Sequence, residues 1–305
     1  MPFTTLTHGN VSWTNIVHPD QQDMDKLAAL YPQFHPLNLK DCLTMLEIPK
    51  LDHYDDYLFL VIHMPFWDEA LQISRRAEVD IFITKGVLIT SHRGELKLIN
   101  EIFTRLQTDS SEQAVKIEQG ASPLLYHLLD QLVDYCRPIV QKVGQNIQHI
   151  ELSIFQSNTR HLLHDIAIVR RDVIALRSIL KPQLEIFDQL EKGTWAFIHM
   201  DLDPYWSDIR DHLSHLCVTL DEFAEVITGL SETADTLASH RIDEVIRLLT
   251  VVTVITLPIT VLSTLFGMNI VMPYADYPHL FYTVTFLGIF LAGLLLWFLN
   301  RKRWL

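Results

Sequence analysis

Two long apolar segments at the C-terminal end constrain this 305-residue chain more than anything before them. Leu248 to Phe266 carries no charge and is long enough to cross a hydrocarbon layer of about 30 Å. Leu280 to Leu299 is a second segment of the same kind. The first closes on Gly267-Met268-Asn269, which opens a loop over 267–279. That loop holds no Lys or Arg, whereas Arg241 and Arg247 precede the first span and Arg301, Lys302 and Arg303 follow the second. Basic residues stay on the cytosolic side, so both termini are predicted to be cytosolic and the loop outside.

Composition agrees with a chain whose membrane part is confined to one end. Hydrophobic residues are 49% and mean hydropathy is +0.16, with the excess in the last sixty positions. The net charge of -13 disfavours nucleic acid as a partner and leaves divalent cations possible, although acidic solubility alone explains it as well. Cys42, Cys136 and Cys217 are far apart and odd in number, which predicts neither a disulfide framework nor a cysteine zinc site. The first residues, Met1 to Leu6, have neither the basic nor the apolar region of a secretory signal. The region ahead of the spans is therefore expected in the cytosol.

Along that region, Val11 to Val17 reads as a strand and Asp20 to Leu30 as a helix capped by Asp20. His35-Pro36-Leu37 opens a short helix to Met45. Tyr57 to Ile62 reads as a buried strand ended by Pro65, and Val79–Thr84 and Val87–Thr90 flank a Lys85-Gly86 turn. This predicts an α/β domain over 1–110 without a Gly-rich phosphate loop, GxSxG or HExxH. Helical periodicity then dominates 120–247. Leu124, Leu128, Leu132, Ile139, Val143 and Ile147 mark one helix, and Leu162, Ile166, Val169, Val173, Leu176 and Leu180 a second, with Pro182 a kink or break. From Pro204 no stop signal occurs before Gly267. An unbroken helix of that length would extend roughly 100 Å.

The first span is rich in threonine. At 100° per residue, Thr253, Leu257, Thr260 and Thr264 share one narrow face, which extends toward the cytosol to Leu249, Ile246 and, at its margin, Asp243. Such a stripe is either a helix–helix contact or the wall of a pore built by several copies. The stripe alone favours the contact.

The segment Arg247-Leu248-Leu249-Thr250, Leu257-Pro258-Ile259-Thr260 and Phe266-Gly267-Met268-Asn269 resembles the pore helix of the CorA magnesium transporters. His35-Pro36-Leu37, Asp41, the strands at Tyr57–Met64 and Val79–Thr90, and the tail Arg301-Lys302-Arg303-Trp304-Leu305 extend the likeness over nearly the whole chain. The resemblance implies an α+β cytosolic domain, an α/β/α sandwich, followed by long helices and two C-terminal transmembrane helices in a funnel-shaped homopentamer. The spans would be 248–266 and 280–299, within a transmembrane domain over 248–305 whose tail is 300–305.

By the same resemblance Asn269 would stand in a ring at the outer mouth with the Gly267 carbonyl and Met268 beside it. A carboxamide ring can hydrogen-bond a hydrated Mg²⁺ without stripping its waters. The isolated sequence also allows Asn269 a helix-capping role. Thr264, Thr260, Leu257 and Thr253 would line the pore, Leu249 would form its cytosolic constriction, and Asp243 would place an acidic ring at the inner mouth. Tyr205 to His212 resembles the start of the family's long helix, where acids help bind regulatory Mg²⁺ between neighbouring subunits. Asp208 is the foremost candidate, with Asp211 and His212 on adjoining turns and a partner acid expected from the α/β domain, Glu95 among them. An acidic first turn suits the helix dipole equally. Met272-Pro273-Tyr274 departs from the family's Met-Pro-Glu and leaves Asp276 as the loop's only acid.

The expectation is a non-enzymatic channel in the inner or plasma membrane, passing Mg²⁺, with Co²⁺ or Ni²⁺ as further ions, under control of cytosolic Mg²⁺ and without an organic cofactor. Its partners would be other copies, divalent cations and the bilayer, and no nucleic acid. The alternatives are a zinc transporter of the same architecture, motivated by His161/His164 and His212/His215 at i, i+3 spacing, and a non-conducting membrane-tethered scaffold or sensor.

Overall fold

The structure, a computed structural model, describes residues 3–44, 48–69, 73–108, 120–154, 159–193, 195, 203–268 and 278–301. The chain divides into two compact units, Met1–Ser231 and Glu232–Leu305.

The first unit is built on a six-stranded sheet. Its strands are β1 (Phe3–His8), β2 (Val11–Val17), β3 (Lys50–His53), β4 (Leu58–Asp68), β5 (Ile73–Ile83) and β6 (Val87–His92), in the order β1-β2-β6-β5-β4-β3. β2 and β6 are parallel and the other neighbours antiparallel. β4 buries Leu58 to Met64 without a gap because both of its faces are covered. On one face, helices α1 (Gln21–Leu30) and α2 (Pro36–Asp41) bring Met24, Leu27, Phe34 and Leu39 onto Phe59, Val61, Phe82 and Ile89. On the other, Trp13 meets Phe103 of α3 (Lys97–Thr108) at 5.0 Å, and Met64 meets Cys136 of α4 (Ala121–Ser153).

Asp20 caps α1 as expected, accepting from the Asp23 amide at 2.9 Å in a full capping box. α2 stops at Asp41, short of the expected Met45, which lies outside the described residues. β4 does not end at Pro65 but runs on to Asp68. β3 pairs only with Leu58–Val61, so beyond Val61 that edge of β4 has no neighbouring strand among the described residues. The His63 amide, which alternation directs to that edge, donates to the Gln183 side chain at 3.2 Å. Pro65 shares that direction and has no N–H to satisfy, so the strand tolerates it.

α5 (Thr159–Leu180) and α6 (Gln183–Lys192) are separated at Lys181–Pro182, the expected break. They grip the projecting half of the β4–β5 ribbon: Asp172 accepts from the Ser74 amide at 2.8 Å, and Gln183 from that of His63. α7 then runs from Asp203 to Gly267, 65 residues with Pro258 inside, and the unit boundary falls within it.

The second unit pairs the later part of α7 with α8 (Pro278–Arg301). α7 is the one described helix long and apolar enough to cross a membrane, and the apolar stretch of α8 described, Tyr282–Phe298, is shorter. The two helices meet where a Cβ on Gly288 would lie 2.9 Å from Leu262 Cδ1.

Candidate functional site

The first candidate site forms where α7 begins. Trp206 is fully buried, with the Tyr126 ring of α4 edge-on at 6.0 Å, and Tyr205 meets the same ring at 5.1 Å. These rings fix the rotation of α7 about its axis. One turn further on, the helix turns Asp208 and His212 toward Asp130 of α4. Ligand atoms of Asp130, Asp208 and His212 all lie within 4.8 Å of one another. His212 Nε2 stands 3.7 Å from Asp208 Oδ1 across one helical turn.

Electrostatics make this group receptive to a cation. Burial raises the pKa of Asp130, and the like charges of Asp134 and Asp208 raise it further. The Tyr126 phenol is raised as well, first by burial and then by Asp130 and Asp208. A divalent ion between the carboxylates would relieve this crowding; the two carboxylates suit Mg²⁺ with its waters, and the imidazole adds a ligand that suits a transition ion such as Zn²⁺.

Asp208 and His212 therefore come together, and Asp211 does not join them. Its carboxylate takes the Arg210 guanidinium at 2.8 Å, and the same guanidinium reaches Asp188 and Glu191 at 3.3 Å each. A second clamp lies further along α7, where Asp221 receives Arg177 at 2.7 Å and Lys181 at 2.8 Å. These partners hold the Asp221 carboxyl below the usual range, Lys181 first.

Asp130, an acid of the same chain, is not among the residues the sequence singles out. It sits in a leucine-rich amphipathic helix, where an exposed-face acid is unremarkable, and only the packing of α4 on α7 marks it out. Within this chain, Glu95 lines a cavity of about 40 Å³ with Arg76, Glu78, Asp80 and Arg93. His161 and His164 are exposed and join no such group among the described residues.

The second candidate site is the polar face of the apolar part of α7. Val251, Val254, Pro258 and Leu262 are half-buried on one side of the helix, and Leu262 is the residue that meets α8. Thr253, Leu257, Thr260 and Thr264 lie on another side and are exposed, as are Leu249 and Asp243. Leu249 is 64% and Leu257 61% exposed, so among the described residues nothing covers that face. Gly267 ends the helix and Met268 follows in a bend, both exposed. Asn269, Met272, Pro273, Tyr274 and Asp276 lie outside the described residues.

Comparison with known proteins places this architecture. The family described as CorA-like Mg²⁺ transporter protein matches residues 8–303. The chain is 29% identical over 293 residues to the putative metal ion transporter YfjQ of Bacillus subtilis, covering 95% of this chain and 88% of that protein. It is 24% identical over 301 residues to the cobalt/magnesium transport protein CorA of Thermotoga maritima, covering 96% and 83%. The complete structure of the CorA magnesium transporter from Methanocaldococcus jannaschii superposes with a TM-score of 0.81 at 18% identity, over 98% of this chain and 94% of that one. The chain thus belongs to the CorA-like family of divalent-cation transporters.

Proposed function

We propose that this protein is a homopentameric channel that passes hydrated Mg²⁺ inward through a membrane crossed twice by each chain, with both termini in the cytosol. The family match over residues 8–303 carries this reading, together with Gly267-Met268-Asn269 at the end of the apolar part of α7. Five copies of the exposed Thr253–Leu257–Thr260–Thr264 face, turned inward, would make the conduit. Asn269 would form the outer carboxamide ring and Leu249 the inner constriction. A membrane potential suffices to drive the ion, since each charge gains about 2.3 kcal/mol per 100 mV.

The Asp130–Asp208–His212 group would be the cytosolic sensor. A bound cation would neutralise its carboxylates and favour the closed ring, and loss of the cation would restore their repulsion and loosen it. The imidazole in this group also keeps Zn²⁺ as a second cation to be tested. Uptake by purified protein in liposomes, comparing Mg²⁺, Co²⁺, Ni²⁺ and Zn²⁺ with and without a pH gradient, tests the reading. Mg²⁺ uptake that follows the potential and ignores the pH gradient is expected. Zn²⁺ uptake that requires a pH gradient would replace it with the coupled zinc transporter, and no flux would leave the scaffold.

A further inference from the structure

Three sulfur side chains converge in the interior of the first unit. Cys136 Sγ of α4 lies 3.8 Å from Met64 Sδ of β4, and both residues are fully buried. Cys217 of α7, only 3% exposed, reaches the same level through the register of the two helices. Tyr126 of α4 meets Trp206 of α7 at 6.0 Å, and further along a Cβ on Gly144 would lie 2.8 Å from Phe223 Cζ. The two helices therefore run side by side in the same direction over 126–144 and 206–223. Cys136 comes ten residues after Tyr126 and Cys217 eleven after Trp206. Their heights along the seam thus differ by only about 1.5 Å. Both thiols are free. Burial pushes the Cys136 thiol up, and the charge of Cys217 adds to that rise, as expected of neighbours.

Two thiols and a thioether are soft ligands, of the kind that select Cu⁺ over Mg²⁺. We propose that Met64, Cys136 and Cys217 form a binding site for a soft monovalent ion of the Cu⁺ class. It is separate from Asp130, Asp208 and His212, whose oxygens and imidazole suit harder ions, and lies further along the same α4–α7 seam. As the ion binds, each thiol releases its proton to water and its sulfur bonds the metal. Met64 adds a thioether lone pair, and no electron changes hands. Two thiolates around one monovalent cation leave one negative charge. One turn beyond Cys217, Asp221 is clamped by both Arg177 and Lys181, a group with one net positive charge that offsets it. That charge already reaches the sulfur: the Cys217 thiol is pushed up to about 11 by burial, and Lys181 opposes the rise. The same end of the seam is the way in, since Cys217 is the one of the three with any exposure.

The test uses Ag⁺, a soft ion of the same class that needs no reductant. Full-length protein in detergent is titrated with Ag⁺ alone in excess Mg²⁺, and the ion retained after gel filtration is counted. The wild type should retain about one tightly held ion per chain, and Mg²⁺ should not displace it. Cys136→Ala and Cys217→Ala should each weaken binding by at least about 100-fold, since losing a group that merely orients a metal ligand already costs about 10–100-fold. Met64→Leu keeps the volume of the core and should weaken binding about tenfold. Cys42→Ala removes the third thiol, which packs among α1, α2 and the opposite face of the sheet, and should leave the tight site as in the wild type. Metal-free melting temperatures show which variants fold. Should Cys136→Ala not fold, Met64→Leu and Cys217→Ala decide, and wild-type binding in both would overturn the proposal. No tightly held Ag⁺ in the wild type, or a loss from Cys42→Ala equal to that from Cys217→Ala, would also overturn it and leave the three sulfurs as core packing.

Discussion

The two ends of α7 are one helix with opposite surroundings. Near its start, Trp206, Ile209, Leu213 and Leu220 are fully buried by other helices of the same chain, and Arg210 and Asp221 tie it to α5 and α6 through ion pairs. Near its end, Leu249, Leu257 and Ile259 are more than half exposed, on a helix face with no neighbour among the described residues. Burying a leucine is worth about 1.5–3 kcal/mol, so a protein does not leave such a surface to water. On the proposed reading, lipid covers one side of the second half and further copies cover the other. On that reading the first half is a fixed mount for a sensor and the second a wall awaiting its assembly.

The largest effect that would break this contrast is at Trp206. Trp206→Ala should cost roughly 3–5 kcal/mol of folding stability, read as a fall in the melting temperature of the full-length protein in detergent. Leu249→Ala should leave that melting temperature nearly unchanged and instead raise Mg²⁺ uptake several-fold when internal Mg²⁺ is high, because on the proposed reading it removes a gate and not a core residue. Equal thermal losses in the two variants would remove the distinction between mount and wall.

Asp130 sharpens the sensor half. Asp130→Asn should require about tenfold more Mg²⁺ for the same thermal stabilisation, the cost of losing one charged ligand of order 1.4 kcal/mol. The pH dependence follows from the raised pKa of Asp130. Its folded value lies above the unfolded one, so the charged form destabilises the metal-free fold above that pKa, and the penalty is relieved as pH falls through it. Protons and cation compete for the same carboxylate. Mg²⁺-induced stabilisation should therefore start to fade at a pH above the ordinary aspartate value of about 3.9, and Asp130→Asn should flatten that dependence. A smaller fall in melting temperature is expected for Arg210→Ala, whose ion pairs are half in water. Asp211→Asn should change the Mg²⁺ response least, since its carboxylate faces Arg210.

Much of this arrangement was legible in the sequence, for local reasons. The Asp20 cap, the Lys181–Pro182 break and the long uninterrupted run to Gly267 depend on neighbouring residues alone. β4 passing through Pro65 was not legible, because what spares it is the short reach of β3 and a glutamine 120 residues away. The same holds for the proposed sensor: Asp208 and His212 share a helix turn, whereas Asp130 joins them only through the packing of α4 on α7. The diversion of Asp211 to Arg210 also depends on Asp188 and Glu191 drawing that guanidinium from another helix.

The most direct test of the central claim is Mg²⁺ uptake into liposomes under an inside-negative potential, wild type beside Asn269→Ala. A channel whose mouth is a carboxamide ring predicts wild-type uptake that grows with the potential, needs no pH gradient, and falls at least tenfold in the variant. Uptake that is absent in the wild type, or unchanged by Asn269→Ala, would contradict it.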